Sequence, residues 1–316
     1  MNILGIESTA HTFGVGIITD KGEVLANVKD SFTSDGVGMI PDKVANHHKE
    51  VAEKILAKAL EQAQVPWKDI SLIAYSAGPG LDPCLWAGYH FAKLWSQQYK
   101  KKLVAVNHCC AHLSIGKIWN KLKDPCYLYV SGVNTQILVQ EENKYHVLGE
   151  TLDIGLGNML DKLGRILGLG FPAGPKIEQL AKEGKYLELP YVVKGMDVSF
   201  SGILTKVEQL YVQKKAATED ICFSVQEVCF AMCTEVVERA MANTNKKELL
   251  LVGGVGANQR FCEMLDIMCQ ERGATFYKVP LDLAGDQGAM IAWEGYLRRK
   301  ECADIEINPH WRADEV

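Results

Sequence analysis

The chain has 316 residues, of which 47% are hydrophobic and 23% are charged. This balance is typical of a globular protein and excludes collagen-like, low-complexity and wholly disordered chains. Hydrophobic cores stop growing near roughly 250–300 residues, so the length predicts two lobes. No stretch approaches the ~20 apolar residues that a membrane helix needs, and the N-terminus runs directly into a strand pattern. We therefore expect no membrane partner, secretion signal or import leader.

The net charge of −5 limits the partners. A free-standing nucleic-acid binder is usually basic, so contact with RNA requires a local basic patch or charge supplied by a partner. The ten cysteines form no CxxC pair, which argues against a zinc ribbon or a thioredoxin-like motif. Isolated cysteines suit a reducing compartment, and the predicted location is the cytoplasm, or also the nucleus in a eukaryote.

The first part of the chain is predicted to start with three strands joined by turns, over residues 3–28. Apolar residues at helical spacing predict a long amphipathic helix over 42–63. A strand at 70–75, a helix over about 84–99 and a strand at 103–106 follow.

The second part repeats this order. Three hairpin strands are followed by a helical region and then by alternating strands and helices. The predicted strands and helices cover 127–130, 135–139 and 145–149, a helical region from about 155 to 240, a strand at 249–252, a helix at 258–272, a strand at 275–277 and a helix at 286–299.

The repeated order predicts an α/β protein built by duplication. The N-terminal lobe is expected at 1–122, with a C-terminal helix at 300–316 packing back on it, and the C-terminal lobe at 123–299. This arrangement resembles the two-lobed actin-like ATPase (ASKHA) superfamily, in which duplicated RNase H-like lobes hold a nucleotide in the cleft between them. The resemblance at the level of fold indicates no particular function.

A candidate metal site lies in residues 107–112, NHCCAH, directly after a predicted strand. Asn107 is a good helix N-cap, so His108 and His112 should lie one turn apart on one helix face, where two imidazoles can share a metal. Two unrelated histidines are an equal alternative from the spacing alone. The segment is not a zincin motif, because Cys109 stands where HExxH needs its glutamate.

Three further segments contain glycines that allow close approach of a ligand. Residues 129–136, YVSGVNTQ, form a turn whose backbone N–H groups suit a phosphate or carboxylate, or a plain tight turn. The stretch from 153 to 178 is glycine-rich but contains no P-loop motif. The strand ending at Gly253-Gly254 precedes a helix, a geometry common at adenosine or anion sites. Asp286 is interpreted either as a helix cap or as a hard oxygen ligand.

Taken together, the segments resemble a known family. Their order is LGIE, the GPG loop, NHCxxH, YVSGxNTQ, GETLDI, ELPYxVKGMDxSFSG, GGVGxN and DxGAMIA. The chain is similar over nearly its whole length to the archaeal and eukaryotic branch of the tRNA N6-adenosine threonylcarbamoyltransferases, the TsaD-like catalytic subunits of the KEOPS complex.

The resemblance implies one metal per subunit, iron or zinc, and an adenine nucleotide such as threonylcarbamoyl-AMP or an ATP analogue in the cleft. The implied metal ligands are His108, His112, Tyr129 and Asp286. The implied substrate-binding residues are Tyr129, Ser131, Gly132, Val133, Asn134, Asp161, Gly174, Glu178 and Asn258.

The implied reaction transfers the threonylcarbamoyl group from threonylcarbamoyl-AMP to the N6 amine of the adenosine 3′ of the anticodon, in tRNAs that read ANN codons. His11 is a candidate proton acceptor. The implied partners are tRNA, a kinase-like ATPase subunit and a small dimerising subunit. Two alternatives stay open: an ATP-binding or ATP-hydrolysing protein of the same fold, and a catalytically weakened scaffold subunit.

The sequence departs from the family pattern at three site positions. Val133 replaces a glycine of the YVSGGNTQ turn, Ala173 replaces a glycine of the PGGP loop and Gln287 replaces an asparagine. A Cβ at position 133 is expected to narrow the approach to a ligand.

Overall fold

The computed structural model describes residues 1–33, 40–301 and 305–316. Contacts divide the chain into two units. Unit 1 comprises Met1–Trp119 and Gly285–Val316, and unit 2 comprises Asn120–Ala284. This division differs from the predicted lobes, because residues 285–299 belong to unit 1 and not to the C-terminal lobe.

The strands, in chain order, are β1 (Asn2–Glu7), β2 (Thr12–Thr19), β3 (Val24–Ser31), β4 (Ile70–Gly78), β5 (Lys102–Asn107), β6 (Cys126–Val130), β7 (Thr135–Glu141), β8 (Lys144–Glu150), β9 (Val193–Lys194), β10 (Asp197–Val198), β11 (Glu248–Val252) and β12 (Thr275–Lys278). The α-helices are α1 (Pro41–Ala63), α2 (Asp82–Tyr99), α3 (His108–Trp119), α4 (Leu156–Ile166), α5 (Gly174–Ala181), α6 (Ser201–Val212), α7 (Thr218–Thr244), α8 (Gln259–Glu271), α9 (Leu281–Ala284) and α10 (Gly288–Leu297).

The sheet of unit 1 has the strand order β3-β2-β1-β4-β5. The first three strands pair antiparallel, and β4 and β5 continue the sheet parallel to β1. Leu4 and Ile6 on one face of β1 belong to the core formed with α1 and α2, whereas Ile3 on the other face belongs to the core with α3 and α10. A strand covered on both faces reads as a continuous apolar run, which explains the residues ILGI at 3–6.

Helix α10 packs so closely on the sheet of unit 1 that its backbone contacts the backbones of β1 and β2. A Cβ on Gly5 would stand 2.2 Å from the Ala292 nitrogen, and one on Gly16 would stand 2.1 Å from the Ala289 nitrogen. Only glycines permit this approach, since real Cβ contacts are longer. This packing explains why residues 285–299 join unit 1.

The sheet of unit 2 has the order β12-β11-β6-β7-β8. It therefore repeats the pattern of unit 1, with three antiparallel strands (β6, β7, β8) and two parallel strands (β11, β12) beside the first of them. The predicted duplication is confirmed at the level of strand order. One continuous core joins this sheet to α4, α5, α6, α7 and α8.

The predicted helical region from 155 to 240 was too coarse. It contains α4 to α7, and residues 182–200 between α5 and α6 are irregular apart from the hairpin β9-β10. Glycine and proline interrupt the helical pattern at Gly168, Gly170 and Pro172, and these residues mark the connection between α4 and α5.

The predicted C-terminal helix at 300–316 is wrong for the described residues 305–316, which contain one 3-10 turn at Ala313–Glu315. Pro309 lacks a backbone N–H and forces its predecessor away from helical geometry. The segment does pack on unit 1, because Asn107 Nδ2 donates to the main-chain oxygens of Trp311 at 3.1 Å and Arg312 at 3.2 Å.

Among the described residues, the helices are all too short or too polar to cross a lipid bilayer.

Candidate functional site

The first turn of α3 presents two histidines on one face. Asn107 Oδ1 accepts a hydrogen bond from the Cys110 N–H at 3.1 Å, so Asn107 caps the helix as the sequence predicts. His108 and His112 follow one turn apart, and their ring centroids lie 4.7 Å apart with the planes nearly perpendicular, at 86°. Both side chains are buried.

Asp286, two residues before the start of α10, faces these two rings. Its Oδ1 lies 3.2 Å from His112 Nε2 and 3.5 Å from His108 Nε2. The three ligand atoms all lie within 4.8 Å of one another. Asp286 is not the helix cap, because Gln287 Oε1 accepts the hydrogen bond from the Met290 N–H at 3.0 Å. The oxygen-ligand interpretation of Asp286 is therefore the one that its geometry supports.

A second carboxylate, Glu7 at the end of β1, lies on the other edge of the His108 ring. Glu7 Oε2 is 2.9 Å from His108 Nδ1, and Glu7 is completely buried. Its Oε1 accepts hydrogen bonds from the backbone N–H of Thr9, at 2.7 Å, and from the Thr9 hydroxyl. The Thr9 hydroxyl also lies 3.3 Å from His108 Nδ1. The imidazole of His108 is thus held between two carboxylates.

Burial and neighbouring charge compete at these groups. Burial lowers the pKa of His108, but the charges of Glu7 and Asp286 outweigh it and raise that pKa to about 9. Burial lowers the pKa of His112 below its usual value. Burial raises the pKa of Asp286, yet the charge of His108 and the hydrogen bond from His112 lower it overall. Without a metal, the two neighbouring carboxylates therefore favour the protonated form of the His108 ring.

The donor set fits a divalent metal. Two imidazole nitrogens and one carboxylate oxygen converge on one point, and this mixture of ligands suits zinc or ferrous iron. The Glu7 contact to Nδ1 is the outer-sphere hydrogen bond that metal-bound histidines usually make. Tyr129, the fourth predicted ligand, is a buried residue near the end of β6 in unit 2 and stays a prediction.

His11, the candidate proton acceptor, lies in the turn between β1 and β2 in unit 1. Its main-chain oxygen accepts a hydrogen bond from the Phe32 N–H at 2.8 Å, which fixes the turn to the end of β3. The charge of His11 is among those that lower the Asp286 pKa. Its catalytic role stays a prediction.

The predicted substrate turn at 131–134 follows β6 and packs on the start of α4. The Gly157 N–H donates to the Ser131 oxygen at 3.1 Å, and the Asn158 N–H donates to the Gly132 oxygen at 2.9 Å. Two N–H groups of the first turn of α4 are therefore used to hold the turn. The Val133 side chain is 70% exposed.

Asp161, Gly174, Glu178 and Asn258 occupy two other helix junctions of unit 2. Asp161 Oδ1 accepts the Ala173 N–H at 3.0 Å, just before Gly174 at the start of α5. Glu178 Oε1 accepts the Gln259 N–H at 2.7 Å, and the neighbouring Asn258 caps α8 by accepting from the Phe261 N–H at 3.0 Å. The structure thus brings Glu178 and Asn258 together at the N-terminus of α8. Whether these residues bind substrate stays a prediction.

The two other departures from the family pattern are accommodated locally. Gln287 acts as the N-cap of α10. Ala173 is completely buried, and its Cβ occupies the space that Gly164 leaves open, since a Cβ on Gly164 would lie 2.1 Å from it.

The group of converging ligand atoms consists of His108, His112 and Asp286 and does not include the cysteines of the NHCCAH segment. Cys110 Sγ donates to the Ala313 oxygen at 3.7 Å, and burial raises the pKa of its thiol well above the usual value. All nine cysteines in the described ranges are free thiols.

Sequence reasoning missed Glu7, Thr9 and Lys29 as part of the site. Glu7 is the only charged residue of β1 and follows four buried apolar or glycine positions, and that isolated buried charge was the signal that could have identified it. Lys29 Nζ donates to the main-chain oxygen of Asp286 at 3.2 Å, and nothing in the sequence marks it.

Comparison with solved structures identifies the fold class. HypF from T. kodakarensis aligns with a TM-score of 0.66 at 14% identity, covering 95% of this chain and 48% of that one. Component A of the Acidaminococcus fermentans (R)-2-hydroxyglutaryl-CoA dehydratase aligns at 0.56 and 15% identity, covering 95% of this chain and 100% of that one. These likenesses confirm the predicted actin-like α/β fold.

Sequence comparison identifies the family. The profile of tRNA N6-adenosine threonylcarbamoyltransferase (TsaD) matches residues 22–293. Proteins of that name from Thermococcus kodakarensis and Methanopyrus kandleri are 50% and 48% identical to this chain, each over its full length and over 98% and 95% of their own. A probable bifunctional tRNA threonylcarbamoyladenosine biosynthesis protein from Methanocaldococcus jannaschii is 47% identical, and the match spans 60% of its length. The chain therefore belongs to the tRNA N6-adenosine threonylcarbamoyltransferase family and is a transferase.

Proposed function

We propose that this chain transfers the threonylcarbamoyl group from threonylcarbamoyl-AMP to the N6 amine of the adenosine 3′ of the anticodon, in tRNAs that read ANN codons. The observation that carries the proposal is the convergence of His108, His112 and Asp286 within 4.8 Å, in a chain of this family. An ATP-hydrolysing relative of the same fold gives these histidines no role.

In this proposal His108, His112 and Asp286 hold one iron or zinc ion, with Tyr129 as the predicted fourth ligand. The ion supplies Lewis-acid stabilisation of negative charge on the adenylate when it is bound. The chain's own contribution is to fix both imidazoles and the carboxylate before binding, through the Asn107 cap and the Glu7 contact.

The nucleotide part of the substrate is assigned to unit 2. In the turn at 131–134 the N–H groups of Ser131 and Asn134 are bonded within the turn, so we assign the phosphate to the N–H groups of Gly132 and Val133. Asp161 and Glu178 each use one carboxylate oxygen in the contacts described above, and we assign them to ribose hydroxyls or the base edge. Gly174 and Asn258 complete the assigned set.

The transfer itself is an acyl substitution. The N6 nitrogen attacks the carbamoyl carbonyl carbon, the bond from that carbon to the phosphate oxygen breaks, and AMP leaves with the electron pair. The amine loses one proton, which we assign to the imidazole of His11. An aromatic amine is a weak nucleophile, so the alignment of amine and carbonyl supplies much of the rate acceleration.

The partners follow from charge and family. A chain with a net charge of −5 captures tRNA poorly alone, so we infer that a kinase-like ATPase subunit and a small dimerising subunit, as in KEOPS, supply further contacts. The bifunctional relative from M. jannaschii supports this inference, since a second segment accompanies the matching part in one chain. A tRNA-modifying enzyme acts where tRNA is, and we place it in the cytoplasm, or also in the nucleus of a eukaryote.

The deciding experiment measures incorporation of labelled threonine into tRNA, with the partner subunits and an adenylate-forming enzyme supplied. We expect incorporation that requires His112 and bound metal. Magnesium-dependent phosphoryl transfer without incorporation would favour the ATPase alternative. Incorporation that is equally fast without this chain, or with His112→Ala, would favour the scaffold alternative.

A further inference from the structure

Glu7 is a buried carboxylate that is neither a metal ligand nor a reactant in the proposed transfer, but it contacts one of the proposed ligands. It is the last residue of β1, the central strand of the unit 1 sheet, and it is completely buried. A buried charge is costly unless it is paired and hydrogen-bonded. Its partners in unit 1 are the His108 ring, at 2.9 Å from Oε2, and the backbone and hydroxyl of Thr9 at Oε1.

The contact selects the tautomer of His108. An ionised carboxylate is only an acceptor, so Nδ1 of His108 must carry the proton in this hydrogen bond. The lone pair of the neutral ring then lies on Nε2. That nitrogen is the one that faces Asp286 Oδ1, at 3.5 Å.

Glu7 cannot serve as a metal ligand in this arrangement. The two nitrogens of an imidazole point in divergent directions, and Glu7 occupies the Nδ1 side while Asp286 occupies the Nε2 side. A carboxylate on the Nδ1 side acts on the metal through the ring. The group of ligand atoms that converge within 4.8 Å accordingly consists of His108, His112 and Asp286.

The position of Glu7 on a rigid element makes the contact persistent. β1 is paired on both sides, with β2 and with β4. The Thr9 backbone N–H and hydroxyl hold Oε1, so the carboxylate is oriented with Oε2 toward His108. A site supported in this way has its ligand geometry fixed before the metal arrives.

We infer that Glu7 is a positioning residue that holds His108 in the Nδ1–H tautomer and aims its Nε2 at the metal. The inference rests on the metal site proposed above. Hydrogen-bond partners of metal-bound histidines typically change metal affinity about 10–100-fold when they are replaced.

The test measures zinc affinity by competition with a chromophoric chelator, for wild type, Glu7→Gln, Glu7→Asp and a control. The glutamine amide has the same shape but can donate to Nδ1, which permits the wrong tautomer. We expect Glu7→Gln to bind zinc about 10–100-fold more weakly and Glu7→Asp to recover part of the loss. Glu294→Gln is the matched control, because Glu294 is also a buried carboxylate of unit 1 bonded to a basic side chain, Arg298.

The outcomes distinguish failure of the proposed metal site from failure of the positioning role of Glu7. If wild type binds no metal, the proposed metal site itself fails. If wild type binds zinc and Glu7→Gln binds it within about twofold, the metal site stands and the positioning role of Glu7 is wrong. A merely structural role predicts equal losses of thermal stability and affinity in Glu7→Gln and Glu294→Gln, which would also overturn the inference.

A second measurement does not depend on a folded variant. In zinc-loaded wild type labelled with 15N-histidine, His108 should show a protonated Nδ1 and a metal-bound Nε2, with its signals assigned by His108→Gln. Zinc on Nδ1, or a proton on Nε2, would contradict the inference even if Glu7→Gln failed to fold.

Discussion

Lys29 on β3 donates a hydrogen bond from Nζ to the main-chain oxygen of Asp286 at 3.2 Å, although the two residues are 257 positions apart in the chain. The bond ties the Asp286 backbone to the sheet edge, while Asn27 Oδ1 accepts from the Ala289 N–H at 3.3 Å in the next turn. The carboxylate of the candidate metal site is therefore fixed through its main chain as well as through its side chain.

Loss of this tether should loosen the site without destroying it. Lys29 is exposed, and an exposed hydrogen bond contributes about 0.5–1 kcal/mol. We expect Lys29→Met to weaken zinc binding about 2–5-fold, measured by chelator competition. Lys21→Met, an exposed lysine in the β2–β3 turn, is the control and should bind as wild type does. Equal affinities of Lys29→Met and wild type would show that the tether is dispensable.

His112→Ala should abolish stoichiometric metal binding and threonine incorporation while the fold persists. Removal of one of three converging ligands leaves two, and the remaining His108 and Asp286 then pair with each other. Metal content by elemental analysis and far-UV circular dichroism measure the two effects. His146→Ala, on the exposed side of β8, is the matched histidine control. Retained metal in His112→Ala would mean that the ion is held elsewhere.

The local half of the site could be predicted from the sequence. The Asn107 cap and the His108–His112 spacing depend on neighbours within one helical turn, and the structure contains both. The approach of Asp286 to these rings spans 174 residues, and no local rule contains it. It came from family resemblance alone. Glu7 was overlooked because a charged residue at a strand end also fits an ordinary turn.

The same limit explains the misplaced lobe boundary. Strand and helix patterns give the order of elements, but they do not say that the last helix returns to the first sheet. Glycines in the sequence carried a sign of this packing. The backbones of β1, β2 and α10 are in contact at Gly5, Gly16 and Gly288. A glycine within a buried strand indicates close backbone approach, although it does not name the partner.

That close approach makes a strong stability prediction. A methyl group at Gly5 would overlap the backbone of α10 at 2.2 Å, and backbone cannot move aside as a flexible side chain can. We expect Gly5→Ala to lower the free energy of unfolding by more than about 3 kcal/mol, in the upper range for single substitutions, by displacing α10 and with it Asp286. Denaturant unfolding measures it. Gly202→Ala is the control, because nothing lies within 4 Å of a Cβ in the first turn of α6, and it should be neutral or slightly stabilising. Similar unfolding free energies for the two variants would refute the packing argument.

His48 should make the protein sensitive to mild acid. It is completely buried on α1, with Nε2 2.9 Å from the Ala10 oxygen, and burial lowers its pKa from 6.5 to about 4. The unfolded chain therefore takes up this proton first, so the contribution of His48 is present above pH 6.5 and is lost as the pH falls toward 4.

The expected loss is about 3 kcal/mol at most, from 1.36 kcal/mol for each pKa unit. Carboxylates also titrate in this range, so the informative quantity is the difference in unfolding free energy between wild type and His48→Gln. That difference should shrink as the pH falls from 7 to 4, whereas the difference for His146→Gln, an exposed histidine on β8, should stay constant. If the difference in unfolding free energy between wild type and His48→Gln does not change with pH, the folded protein binds this proton as readily as the unfolded chain does.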